Sequence, residues 1–306
     1  GSYRPGNRWE FSAGLRLEYT NYDYDNRTSD GDACAPGASA CRFYRPADRS
    51  DSFTDLSGHL GASYRLSDHQ LAYLRLAQGF RAPQATELYR LQSGQRVADL
   101  DSEELANIEA GLRGNWQGRL SWDIAAFAMR KDEVIFQDAD RQNVSGARTS
   151  HEGLELSLDY AFADNWLLGL DATYARHRYD SRIQLLGSSG DIKGNDIDTA
   201  PRKFGSARLQ WDTSNLLGRD SLADLEWIYL GSHYLEPDNE HEYDGHNLLN
   251  LRFSSQISRQ WRAALRLTNL LDEDYAERAD FGFGSYRYFV GQPLGAYLEI
   301  GYQLGG

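Results

Sequence analysis

The stretch "RWEFSAGLRLEYT", Arg8 to Thr20, restricts the fold more than any other part of the chain. One alternate set reads Trp9, Phe11, Ala13, Leu15, Leu17, Tyr19; the other reads Glu10, Ser12, Gly14, Arg16, Glu18, Thr20. A period of two is that of a β-strand with one dry face and one wet face. The pattern recurs. Leu56, Leu60, Ala62, Tyr64 and Leu66 oppose Ser57, His59, Ser63 and Arg65, and Leu120, Trp122, Ile124 and Ala126 oppose Ser121 and Asp123. Leu154, Leu156, Leu158 and Tyr160 oppose Glu155, Ser157 and Asp159, and Trp261, Ala263, Leu265 and Leu267 oppose Arg262, Arg266 and Thr268. A closing series runs Leu294, Ala296, Leu298, Ile300, Tyr302, and weaker examples begin near Ala72, Ala106, Trp166, Phe204, Ala223 and Asn247. The sum is about twelve strands, within the range of transmembrane barrels.

Connections between these strands alternate in length. Long segments (Asn21 to Ser52, the stretch through Arg81, Asp132 to Ser150, Tyr179 to Arg202, Gly231 to Gly245, Leu271 to Arg287) alternate with "SDHQ", "NWQG", "FADN", "TSNLLGRD" and "ISRQ". Outer-membrane barrels are built from short periplasmic turns and long extracellular loops. Greek-key sandwiches do not sort their connections by length. The reading is all-β: a transmembrane antiparallel β-barrel with both termini on the periplasmic side.

Composition agrees. A mean hydropathy of -0.64 without a long apolar run excludes spanning helices but not spanning strands. Nineteen Tyr, 12 Phe and 7 Trp are many for 306 residues, and Tyr and Trp favour membrane interfaces. A formal charge of -13 argues against nucleic acid, whose phosphates require basic clusters. Cys34 and Cys41 flank a small-residue loop and have neither further Cys nor His nearby, so a local disulfide in an oxidising compartment is expected and a metal site is not. The first residues lead almost at once into a strand without start Met or signal peptide, so the chain is expected to be processed or truncated.

Several segments, in order, resemble TonB-dependent outer-membrane receptors: "QGFRAPQATELY", "DLDSEELANIEAGLRG", "RTSHEGLELSLDYAFADNWLLGLDATYA", "LTNLLDEDYAERADF" and "GQPLGAYLEIGYQL". The resemblance implies an importer in the outer membrane of a Gram-negative bacterium, energised by TonB–ExbB–ExbD through an N-terminal plug and TonB box. The family's barrel normally has 22 strands. Residues 1–306 are therefore expected to be a C-terminal barrel portion without its plug, set among outer-membrane lipid and LPS and serving uptake of a ferric siderophore or similar chelate. The other reading is a free-standing barrel of about twelve strands acting as passive pore or adhesin. The family usually ends on an aromatic residue, whereas here Tyr302 is followed by Gln303, Leu304, Gly305 and Gly306.

Candidate chemistry is confined to the rim. Parity puts Arg81 on the lumen side with Tyr73, Arg75 and Gly79, opposite Ala72, Leu74, Leu76 and Phe80. Phe80, Arg81 and Pro83 read as structural rim residues, with Pro83 ending strand pairing. Tyr89, Arg90, Gln92 and Arg96, reaching toward solvent, are ligand candidates, as are Tyr286, Arg287 and Tyr288. Arginine with tyrosine suits an anionic, aromatic metal chelate through charge-assisted hydrogen bonds and ring stacking. The acidic stretch "LEPDNEHEYDGHN" lacks the spacing of a calcium loop and reads as ordinary surface. Seven scattered His and no nucleophile elbow support no enzyme, and no cofactor or resident metal is expected.

Overall fold

Alternation becomes pairing. The computed structural model describes residues 1–35, 37 and 41–304. In chain order its elements are β1 (Ser2–Tyr3), β2 (Trp9–Tyr24), β3 (Gly31–Ala33), β4 (Phe43–Arg45), β5 (Arg49–Ser67), β6 (Gln70–Arg81), α1 (Ala85–Tyr89) and β7 (Leu91–Gln92). They continue with β8 (Glu103–Trp116), β9 (Leu120–Gln137), β10 (Asn143–Ala163), β11 (Trp166–Tyr179), β12 (Lys203–Asp212), α2 (Ser214–Leu217) and β13 (Ser221–Leu230). The last are β14 (His233–Tyr234), β15 (Glu242–Tyr243), β16 (His246–Gln256), β17 (Trp261–Thr268), β18 (Ala276–Gly282), β19 (Ser285–Val290) and β20 (Gly295–Tyr302).

The wall is one 13-stranded sheet in the order β1-β2-β5-β6-β8-β9-β10-β11-β12-β13-β16-β17-β20. Every pairing in it is antiparallel and joins successive wall strands. Apart from the two-residue β1, the wall has the twelve long strands that the alternation predicts. Its order is linear, with β1 and β20 as edges among the described residues. A closed ring needs its first and last strands paired. Among the described residues the ladders therefore form an open stretch of wall, which does not favour a free-standing twelve-stranded barrel.

The pairings give each face a consistent composition. From Trp9↔Tyr64 to Tyr19↔Thr54 the outward pairs along β2 and β5 are apolar or small, and beyond them Asn21 and Asp23 face out. Trp9 to Tyr19 is about the length that a tilted strand needs to cross hydrocarbon. Outward rings collect at the short-turn end, where Trp9 lies 4.6 Å from Tyr64, Trp166 stacks on Trp211 at 5.0 Å and Trp261 lies 4.7 Å from Tyr302. Tyr19, Tyr174, Trp227 and Tyr229 face outward nearer the other end, so aromatic belts flank the apolar band. The inner face is wet: Tyr73 Oη donates to Asp123 at 3.2 Å beside the Arg113–Asp123 ion pair, and Gln210 donates to Asp224 at 2.7 Å.

One expected loop is mostly strand. Asp132 to Ser150 continues the β9–β10 pairing through two register shifts, leaving only residues 138–142 as a turn. The side chains above the lipid band no longer need an apolar outward face, so alternation fades while the backbone ladder continues. Pairing satisfies backbone N–H and C=O groups whatever the side chains are.

Candidate ligand-binding rim

Above the lipid band, marked by outward Glu104 paired with Asp132, β6 ends in an ion cluster. Arg81 Nε donates to Glu103 Oε2 at 2.9 Å, and its Nη2 lies 2.8 Å from Glu103 Oε1. The same guanidinium donates to both oxygens of Glu87, at 2.9 and 3.1 Å. Glu103 is buried and also takes Lys131 Nζ at 3.1 Å and the Ile135 amide at 3.0 Å. Pro83 is fully buried and ends the strand; Gln84 caps α1, its amide donating to Glu87 Oε2 at 2.7 Å. Phe80 faces outward, opposite Glu104. Arg81 thus joins the wall (Glu103) to the first turn after it (Glu87), with each of its three nitrogens in contact with a carboxylate.

The segment that follows is packed rather than splayed into solvent. Leu88, Leu91, Ala98 and Leu100 are buried together against Tyr22, Tyr44, Phe53, Tyr89 and Ile135. Tyr89 stacks on Tyr24 at 4.6 Å and donates its hydroxyl to Asp51 at 2.8 Å. Burial, then the Asp51 carboxylate, raise its phenol above the ordinary tyrosine value. Arg90 lies over the Phe43 ring at 5.0 Å, and Gln92 pairs with Phe43 in the small β3-β4-β7 sheet. Cys34 and Cys41 are joined by a disulfide in the loop carrying β3 and β4, with Cα atoms 4.4 Å apart. Of the four candidates here, Arg90 and Arg96 are both exposed without a side-chain hydrogen bond among the described residues, Arg90 lying over Phe43. Sequence reasoning missed the two amides that fasten this cap. Buried Gln95 exchanges hydrogen bonds with the Asn143 backbone at 2.7 and 3.0 Å, and Asn143 Nδ2 donates to Glu87 O at 2.9 Å. Neither residue lies in a periodic pattern that would announce it.

A second cap carries the other candidates. In the β18–β19 hairpin Tyr286 and Tyr288 are exposed and stacked, centroids 6.0 Å apart; Arg287 pairs with Asp280 and lies 5.7 Å from the Phe283 centroid. Tyr286 also meets Phe281 and His241 edge-on, and those two rings stack at 3.5 Å. Glu236, buried, orients this group by accepting the Glu240 and His241 amides, both at 2.7 Å, and lies 3.2 Å from His241 Nδ1. His241 sits inside the acidic stretch that read as ordinary surface. Its ring partner lies forty residues away in the chain, beyond any local signal. No hydrogen bond or ring contact among the described residues joins Tyr89, Arg90, Gln92 or Arg96 directly to Tyr286, Arg287 or Tyr288. They are two separate patches: the first offers the exposed cations Arg90 and Arg96, and the second the exposed rings Tyr286 and Tyr288.

Comparison with known proteins agrees with this architecture. The family model described as TonB dependent receptor-like, beta-barrel, matches residues 1–270. The chain is 25% identical over 245 residues to the vitamin B12 transporter BtuB of Photobacterium profundum, covering 79% of this chain and 38% of that protein. It is 22% identical over 250 residues to the pesticin receptor of Yersinia pestis, covering 81% and 35%. The crystal structure of the ferric yersiniabactin uptake receptor FyuA from Yersinia pestis superposes with a TM-score of 0.77 at 17% identity, covering 98% of this chain and 44% of that one. The chain therefore spans well under half the length of these relatives. Matched over most of its length and built as a wall with a lipid-facing band and a wet inner face, this chain belongs to the TonB-dependent receptor β-barrel family of the Gram-negative outer membrane.

Proposed function

We propose that the chain is the C-terminal barrel wall of a TonB-dependent importer for a ferric siderophore or similar metal chelate. Energy comes from TonB–ExbB–ExbD acting through a plug and TonB box outside this sequence, and LPS and outer-membrane lipid surround the wall. The observation that carries the reading is the second cap, where exposed Tyr286 and Tyr288 stack on one face of a hairpin held by His241 and Glu236, while Arg287, paired with Asp280, projects from the other face. Exposed aromatic faces suit a chelate built from flat rings. Exposed Arg96, on the other cap, is a cation for the same guest. Relatives named as a vitamin B12 transporter and a ferric yersiniabactin uptake receptor support import, while the fold alone does not name the ligand.

The test is ligand binding by the full-length receptor in detergent, titrated with ferric catecholate, hydroxamate and carboxylate chelates against cobalamin and oligosaccharides. The expected result is saturable binding of one ferric chelate class, weakened at least tenfold by Tyr286→Ala with Tyr288→Ala. Binding of cobalamin or sugar in place of every ferric chelate overturns the substrate class.

A further inference from the structure

The lumen face of β9, β10 and β11 carries a transverse row of nitrogen and sulfur donors. His151 pairs with His177 across the β10–β11 ladder and with Met129 across the β9–β10 ladder. Residues opposite one another on neighbouring strands project to the same side with Cβ atoms about 4.5–5.5 Å apart. That side is the lumen, because the flanking pair Leu154↔Tyr174 belongs to the outward set. Met129 is the chain's single methionine. The two imidazoles face each other, Nδ1 to Nδ1 at 2.8 Å, and Thr149 Oγ1 lies 2.9 Å from His151 Nε2. Outward Glu152, at the level between these rows, forms an ion pair with Arg178 at 2.8 Å, so the row stands above the lipid band.

Below the row, Phe127 lies across Gly153, its Cζ 2.8 Å from where a Cβ would stand, beside fully buried Ala175. Above it come Lys131, Thr149 and Tyr179, partners in the same two ladders. The half-buried histidines therefore have apolar Phe127 and Ala175 below them and Lys131 above. When the Thr149 hydroxyl accepts from His151 Nε2, the Nδ1 lone pair of His151 is directed at its partner. Two nitrogens bound tetrahedrally at about 2.0–2.1 Å stand roughly 3.3 Å apart, so parting the rings by about half an ångström admits an ion. Imidazole suits several late transition metals, and a thioether narrows the choice toward copper.

We infer that His151 and His177, with Met129 as the third donor, form a copper-binding site on the lumen wall, independent of the chelate-binding patches at the rim. The donor set is two imidazoles and the thioether of Met129, the residue opposite His151 on the neighbouring strand. The remaining position opens to the lumen and is filled by water or by a donor that arrives with the ion.

The test uses the full-length receptor in detergent, loaded anaerobically with Cu(I) and separately with Zn(II), then freed of unbound metal by gel filtration. X-ray absorption of the wild-type protein with Cu(I) is expected to show imidazole scattering and one sulfur. His177→Asn is expected to lower Cu(I) affinity at least tenfold, and Met129→Leu to remove the sulfur shell while changing Zn(II) affinity less than threefold. Heat-modifiable gel mobility reports that each variant still folds. Wild-type protein whose bound copper lacks imidazole or sulfur scattering overturns the inference, as does equal copper retention by wild type and His177→Asn; the pair is then only a hydrogen bond.

Discussion

Replacing Arg81 by Met keeps much of the stem's volume and removes the guanidinium. Four N–H to oxygen contacts of 2.8 to 3.1 Å are lost, two to Glu103 and two to Glu87. The Glu103 side chain is 6% exposed but retains Lys131 at 3.1 Å and the Ile135 amide at 3.0 Å. Removing one partner of a buried ion pair costs about 3–5 kcal/mol. The partners left to Glu103, and the 36% exposure of the Arg81 side chain, place the loss at the low end, about 3 kcal/mol. That loss falls on what Arg81 holds, namely α1 and the cap core of Leu88, Leu91, Ala98 and Leu100. Amide hydrogen exchange across residues 85–100 of the full-length receptor reads it directly: about 3 kcal/mol, at 1.36 kcal/mol per tenfold, is roughly 150-fold faster opening. Arg81→Lys keeps the charge without the fork and is expected to lie between wild type and Met. Adding Glu103→Gln to Arg81→Met is expected to recover part of the loss, since no carboxylate is then stranded. Exchange within threefold of wild type in Arg81→Met, or no recovery on adding Glu103→Gln, refutes the reasoning.

Other expectations follow from single residues. Gly153→Ala places a Cβ 2.7 Å from Tyr174 O and 2.8 Å from Phe127 Cζ, and is expected to destabilise the wall by about 1–3 kcal/mol, seen as a lower urea midpoint for unfolding from lipid vesicles. Gln95→Ala breaks both bonds to Asn143 and strands a buried amide, so exchange in residues 91–100 is expected to speed about tenfold while the wall strands are unchanged. Burial lowers the His233 pKa, only partly opposed by the Gly231 carbonyl and Glu242. The unfolded cap therefore binds the proton more readily than the folded one. Stability of residues 231–245 is expected to be full above the unfolded value of about 6.5 and to fall as pH drops through the folded value, with proton NMR of the His233 ring giving a midpoint below 6.5.

Strand existence and face were legible because a period of two is local: Leu74 and Leu76 place Arg81 on the lumen side by counting alone, and the β6 ladder agrees. What Arg81 does there was not legible. Its partner Glu103 lies 22 residues away, and only the β6–β8 register sets the two opposite each other. Tyr89 read as a side chain reaching for ligand, and it stacks on Tyr24 and bonds Asp51, the latter 38 residues away in the chain. The upper halves of β9 and β10 read as loop because alternation reports the lipid boundary, and above that boundary strand pairing continues without it. The sequence by itself determined the all-β wall, its dry and wet faces, the alternation of long and short connections and the family. Tertiary structure alone decided which loops pack into caps, which cations are engaged and that Met129, His151 and His177 share one row. Alternation follows from the burial of each residue in turn, whereas a cross-strand partner follows from register and loop closure, which no short window of sequence contains.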